Sequence, residues 1–101
     1  MSYQITITFE KTTESPENAF NTIPIREPND NVTQAQITAL DSAYPIQFER
    51  RIIQDKLLFT YTYNSKEDYD AVINHAVTQD LRTRRLAWAE LNKITISTRE
   101  V

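Results

Sequence analysis

The sequence predicts an α+β fold: a ferredoxin-like βαββαβ sandwich, in which a four-stranded antiparallel sheet carries two helices on one face. Three observations lead there. Four short segments, 3–9, 46–53, 57–63 and 94–98, alternate along one another's faces with the period of a strand. Two longer segments, 34–43 and 66–91, place apolar residues at helical spacing behind recognisable caps. The order along the chain is strand, loop, helix, strand, strand, helix, strand, and two right-handed crossovers then give the sheet order 4-1-3-2.

In the first strand Tyr3, Ile5, Ile7 and Phe9 share one face, and Gln4, Thr6 and Thr8 the other. Residues 10–31 break that pattern. Pro16, Pro24 and Pro28 fall here with four asparagines, and the residue before each proline is steered out of the helical region. A long proline-containing loop is expected, with Ser15-Pro16-Glu17 able to open one short helical turn. Thr33 and Gln36 then have the spacing of a capping box, and Val32 and Ile37 that of a hydrophobic staple. Ile37, Leu40, Ala43 and Tyr44 supply the apolar stripe of this helix, which Pro45 limits to about residue 43.

A hairpin follows. Ile46, Phe48, Arg50 and Ile52 alternate with Gln47, Glu49, Arg51 and Ile53; Leu57, Phe59, Tyr61 and Tyr63 alternate with Leu58, Thr60 and Thr62; Gln54-Asp55-Lys56 is the turn. Ser65 caps the last helix, with Glu67 and Asp68 in its first turn. Tyr69, Val72, Ile73, Ala76 and Val77 form its apolar stripe, and Trp88 and Leu91 resume it. Asp80 and Arg84 interrupt the stripe. Either the two pair at the edge of the core, or the helix bends near Thr78–Asp80. Ile94, Ile96 and Thr98 alternate with Thr95, Ser97 and Arg99 in the last strand. The expected core is Ile5, Ile7, Phe9, Leu40, Phe48, Ile52, Phe59, Tyr61, Val72, Ile73 and Ala76.

A chain of 101 residues is read as a single domain, 1–101. The absence of cysteine excludes disulfides, thiolate metal sites and thiol nucleophiles. Glycine is absent too, where average usage gives about seven. A P-loop, a dinucleotide fingerprint and a Gly-x-Ser-x-Gly elbow all require it. The net charge is −3, and the two halves differ: seven acidic and two basic side chains in 1–49, seven acidic and nine basic in 50–101. Nucleic-acid-binding domains are usually basic overall, so nucleic acid is not the expected partner. No signal-like start and no long apolar run is visible, which makes the expectation a cytoplasmic protein with no membrane contact.

Several groups could carry function. The sheet face away from the helices shows mostly threonine, with no aromatic on its central strands, unlike the stacking platform of RNA-recognition sheets. It reads as a solvated face or as a platform for a partner or a second copy. His75, the single histidine, falls on the polar side of the last helix, with no catalytic partner evident from spacing. Glu67, Asp68 and Asp70 answer the helix dipole rather than a metal. Arg82, Arg84 and Arg85 are the one basic cluster, and Trp88 lies a turn beyond. Arginine forks suit carboxylate and phosphate, and tryptophan beside arginine is a common interface anchor. These four are the expected partner-binding residues.

The stretch Asn64-Ser65-Lys66-Glu67-Asp68-Tyr69 resembles the strand-to-helix junction of the small dimeric α+β barrel enzymes. It covers six residues and holds no catalytic motif. The resemblance implies a small-molecule-binding or enzymatic domain of that type, as an alternative. The primary expectation is a non-enzymatic interaction module, an adaptor, inhibitor or regulatory protein, that binds a protein partner or itself without a cofactor. A nucleic-acid binder using the arginine patch is the second alternative. Acidic proteins of this size without catalytic motifs are common among phage and mobile-element genes, so a phage accessory protein is one expected origin.

Overall fold

The structure is a computed structural model and describes residues 2–100. Strand β1 spans Tyr3–Lys11, helix α1 Gln34–Ala43, β2 Ile46–Ile53, β3 Lys56–Tyr63, α2 Lys66–Ile73, α3 Ala76–Asn92 and β4 Ile94–Glu100. A 3-10 turn at Ala19–Thr22 lies between β1 and α1. The four strands form one antiparallel sheet in the order β2-β3-β1-β4. This is the α+β sandwich and the strand order the sequence predicts, with the second helix divided in two.

Local chemistry explains the elements. Thr33 Oγ1 accepts from the Gln36 amide at 3.2 Å while the Thr33 amide donates to Gln36 Oε1 at 2.8 Å, closing the capping box of α1. Ser65 Oγ accepts from the Asp68 amide and opens α2. The divide between α2 and α3 falls at Asn74–His75, four residues before the bend considered near Thr78–Asp80. Asn74 turns back on its own helix, Nδ2 donating to the Asp70 carbonyl at 2.9 Å. His75 Nδ1 then accepts from the Val77 amide at 3.1 Å and caps α3. Two short polar side chains thus compete with the backbone ladder and end it. The Asp80–Arg84 pair forms as well, at 3.0 Å.

With no glycine available, two other residues among those described take the left-handed region. Gln54, at φ 54°, makes the two-residue turn between β2 and β3. Lys93, at φ 58°, ends α3, its amide bonding back to Ala89 and Glu90.

The core lies between the sheet and the helices as two clusters. Phe9, Phe20, Leu57, Phe59 and Trp88 dominate one. Ile5, Ile37, Leu40, Tyr63, Val72 and Val77 dominate the other. Half-buried Ile7 and Tyr61 touch both. Ile5, Phe9, Leu40, Phe59 and Val72 are buried as expected. Phe48 and Ile52 are not, at 54% and 55% exposed. They do face the helix side, opposite Tyr61 and Leu57, but β2 is an edge strand that no helix covers. Ile73 is half-buried and Ala76 exposed, because the divide at Asn74–His75 resets the helical phase. The buried stripe of α3 becomes Val77, Leu81, Trp88 and Ala89, and Leu91 is left 82% exposed.

The 10–31 segment begins with the end of β1 and continues as a packed strap. Ala19 and Phe20 enter the first core cluster. The Thr12 and Ser15 hydroxyls donate to the Lys93 carbonyl at 2.8 and 2.9 Å, joining the strap to the end of α3. At its far end Asn29 and Asn31 donate to Asp80 at 3.0 and 3.4 Å. The short helical turn falls just beyond the Ser15-Pro16-Glu17 expected to open it.

Candidate functional site

The four residues read from the sequence as a partner-binding patch do not share one surface. Trp88 is 7% exposed. Its ring meets Phe9 edge-on at 5.9 Å, and its Nε1 donates to Thr22 Oγ1 at 3.0 Å. It is a core residue that also ties down the strap. Arg84 is engaged by Asp80. Arg82 is exposed on the outer side of α3. Arg85 turns the other way, beneath the strap, with its guanidinium over the rings of Phe59 and Phe9 at 5.1 and 5.8 Å. The sequence carried a signal for this: Val77, Leu81, Arg85 and Trp88 lie at helical spacing, so Arg85 occupies the apolar stripe.

Arg85 sits in a groove of about 850 Å³ on the helix side of the sheet. The strap, through Ile23, Ile25 and Arg26, forms one wall; β2, through Ile46, Phe48 and Arg50, forms the other. Phe59 and Tyr61 from β3 and Leu81 and Arg85 from α3 also line it. The groove lies where the two core clusters meet, beside the strand that the helices leave uncovered. Arg85 Nε donates to the Pro24 carbonyl at 2.9 Å and Nη1 to Tyr61 Oη at 3.2 Å. At the mouth, Arg26 is paired with Asp41 of α1. Among the described residues no carboxylate pairs with Arg85. Arg85 and Tyr61 are 24 positions apart, so spacing could not have joined them.

The opposite face of the sheet is covered by no described element. Its central strands show Gln4, Thr6 and Thr8 on β1 beside Thr62, Thr60 and Leu58 on β3, in direct register. Thr6 and Thr60 share a 3.3 Å hydroxyl–hydroxyl bond, and Gln4 Nε2 donates to Thr62 Oγ1 at 3.3 Å. Charge is confined to the margin: Glu49 and Arg51 on β2, Arg99 on β4, and the Glu10–Lys56 pair at one end of the central strands. Gln47 and Ile53 on β2 and Thr95 and Ser97 on β4 complete that margin without charge.

No family model matches this chain, and the comparison with curated proteins found no match. Among solved structures, a dimeric ferredoxin-like protein from an uncultured marine organism is similar in fold, with a TM-score of 0.54 and 14% identity. That likeness covers 99% of this chain and 86% of the other. A de novo designed protein, Foldit4, aligns over 100% of this chain and 97% of its own, with a TM-score of 0.41 and 10% identity. Among the described residues no helix is long and apolar enough to cross a membrane.

Proposed function

We propose that this chain is a non-enzymatic interaction module that pairs with a second copy of itself through the uncovered face of its sheet. The observation that carries this reading is the uncharged band of Gln4, Thr6, Thr8, Leu58, Thr60 and Thr62 on a face that no described element covers, with charge only at its edges. Here the centre offers threonine methyls and hydroxyls already bonded to one another, which lowers the loss on desolvation.

Size supports the reading. The molecule measures 40 × 34 × 17 Å, a thin slab with one broad bare side. Four strands about 4.8 Å apart and about eight residues long make a flat area of roughly 500 Å². Side-chain relief brings that towards the ~800 Å² per partner of a standard interface. Glu49 and Arg51, two residues apart on the same face, can pair across a two-fold axis, where one patch meets its own copy. The fold neighbour from the marine organism is described as dimeric, which agrees with pairing.

Light scattering on eluting protein tests this. The expected result is a dimer at tens of micromolar, and a monomer for Thr60→Lys with a melting temperature within a few degrees of the parent. A monomer for the parent chain at high concentration, or a dimer for Thr60→Lys, refutes the sheet-face interface.

A further inference from the structure

We propose that the groove between the strap and β2 binds an aryl or arylalkyl carboxylate, held by the Arg85 guanidinium and the Tyr61 hydroxyl. This site lies on the opposite side of the sheet from the pairing face, so the two proposals stand or fall separately.

Arg85 is the first argument. A guanidinium has five N–H donors. Two are used, by Pro24 and Tyr61, and the other three have no partner among the described residues. The group is half-buried among rings, where an uncompensated charge is held at a loss of hydration. A carboxylate would match its planar fork with two parallel bonds. Tyr61 reinforces the choice. Its oxygen already accepts from Arg85, so its own proton is free to donate to the same anion.

The groove walls select the rest of the ligand. Phe48 meets Phe59 edge-on at 5.2 Å and Tyr61 at a tilt at 5.1 Å, yet it is more than half exposed. Its free face borders an opening of about 850 Å³, inside the range of roughly 300–1,000 Å³ typical of small-molecule sites. A planar apolar body would cover that ring and the neighbouring Phe59 edge. Charge agrees as well. Of the four charged lining residues, Arg26 and Asp41 answer one another, which leaves Arg50 and Arg85 as net positive charge. A monoanion with an aromatic body fits this lining. A cation, or a multiply polar sugar, would leave the rings against water or the arginine unanswered.

The test is calorimetric titration of the intact chain with 2-naphthoate, alongside its neutral counterpart 2-naphthamide and inorganic phosphate. Chemical shifts of backbone amides locate the site. The expected result is saturable binding of 2-naphthoate that moves the amides of residues 23, 25, 26, 46–50 and 85, with 2-naphthamide and phosphate each at least tenfold weaker. Arg85→Lys, which keeps charge but loses the fork, should weaken binding about tenfold. Phe48→Ala removes a half-exposed ring, so it should weaken binding several-fold while the protein stays folded, with a melting temperature lowered by several degrees through loss of the Phe59 and Tyr61 contacts. Equal affinity for 2-naphthamide would make the groove an apolar slot without carboxylate recognition. Phosphate binding as tight as 2-naphthoate would make it a bare anion spot. Either result, or no shift at these residues at millimolar ligand, or binding indifferent to both substitutions, overturns the proposal.

Discussion

Gln54 and Lys93 show what a glycine-free chain does where a turn needs a left-handed residue. A Cβ in that region costs roughly 1–2 kcal/mol against the right-handed alternative, and glycine avoids it. Both positions hold their conformation because the surroundings fix it: Gln54 is locked between paired strands, and the Lys93 carbonyl receives two hydroxyls from the strap. Lys93→Gly and Gln54→Gly are each expected to stabilise the fold by up to about 1 kcal/mol in urea denaturation. A loss of stability in both would show that the side chains contribute more than the backbone strain removes. Neither position is legible as strained from the sequence. Gln54 falls in the expected turn, but the absent glycine removes the usual marker of positive φ.

At the scale of elements, alternation and capping locate two of the four strands to within one residue and the other two to within two, and the starts of α1 and α2. They do so because those signals are local. What alternation cannot say is whether anything covers the face it identifies. Phe48 and Ile52 are correctly assigned to the helix side of β2 and are still exposed, since the helices pack over the other strands. The consequence is measurable. Phe59→Ala, in the closed part of the core, should cost about 3–5 kcal/mol. Ile52→Thr on the uncovered edge should stay within about 0.5 kcal/mol. A large loss at Ile52 would mean that β2 is covered in solution. The strap was hidden for the converse reason. Its prolines and asparagines read as loop, and the Ala19-Phe20 pair that anchors it is too short to show a period. The groove requires the strap, the uncovered edge and the inward turn of Arg85 together, and no local pattern in the sequence encodes that combination.

For the whole molecule, ionisation sets limits on stability from both ends of the pH scale. Burial pushes the Tyr63 phenol up to about 12 and raises Tyr69 as well. An unfolded tyrosine titrates near 10. The folded state therefore holds the proton more tightly, and this contribution is complete below pH 10 and is lost as pH rises from about 10 to 12. Asp80 works in the other direction. The Asn29 amide, followed by Arg84 and Asn31, holds its carboxyl below the usual value against the opposing effect of burial. Its contribution is present above the usual carboxylate range and is lost as the pH falls through its folded value. Melting temperatures should therefore fall at both extremes. Tyr63→Phe should flatten the alkaline limb, and an unchanged limb would assign it to other groups.

Whether two copies meet through the bare sheet face is read most directly by an isotope-filtered NOE experiment on a mixture of labelled and unlabelled chains. Thr6, Thr8, Thr60 and Thr62 place four methyl groups at the middle of the proposed interface, well away from the groove and from α3. Pairing through this face gives contacts between copies among these threonine methyls and the Leu58 side chain. Intermolecular contacts confined to Phe48, Ile52 and the β2 edge, or to the outer side of α3, would contradict it, as would their complete absence at millimolar protein.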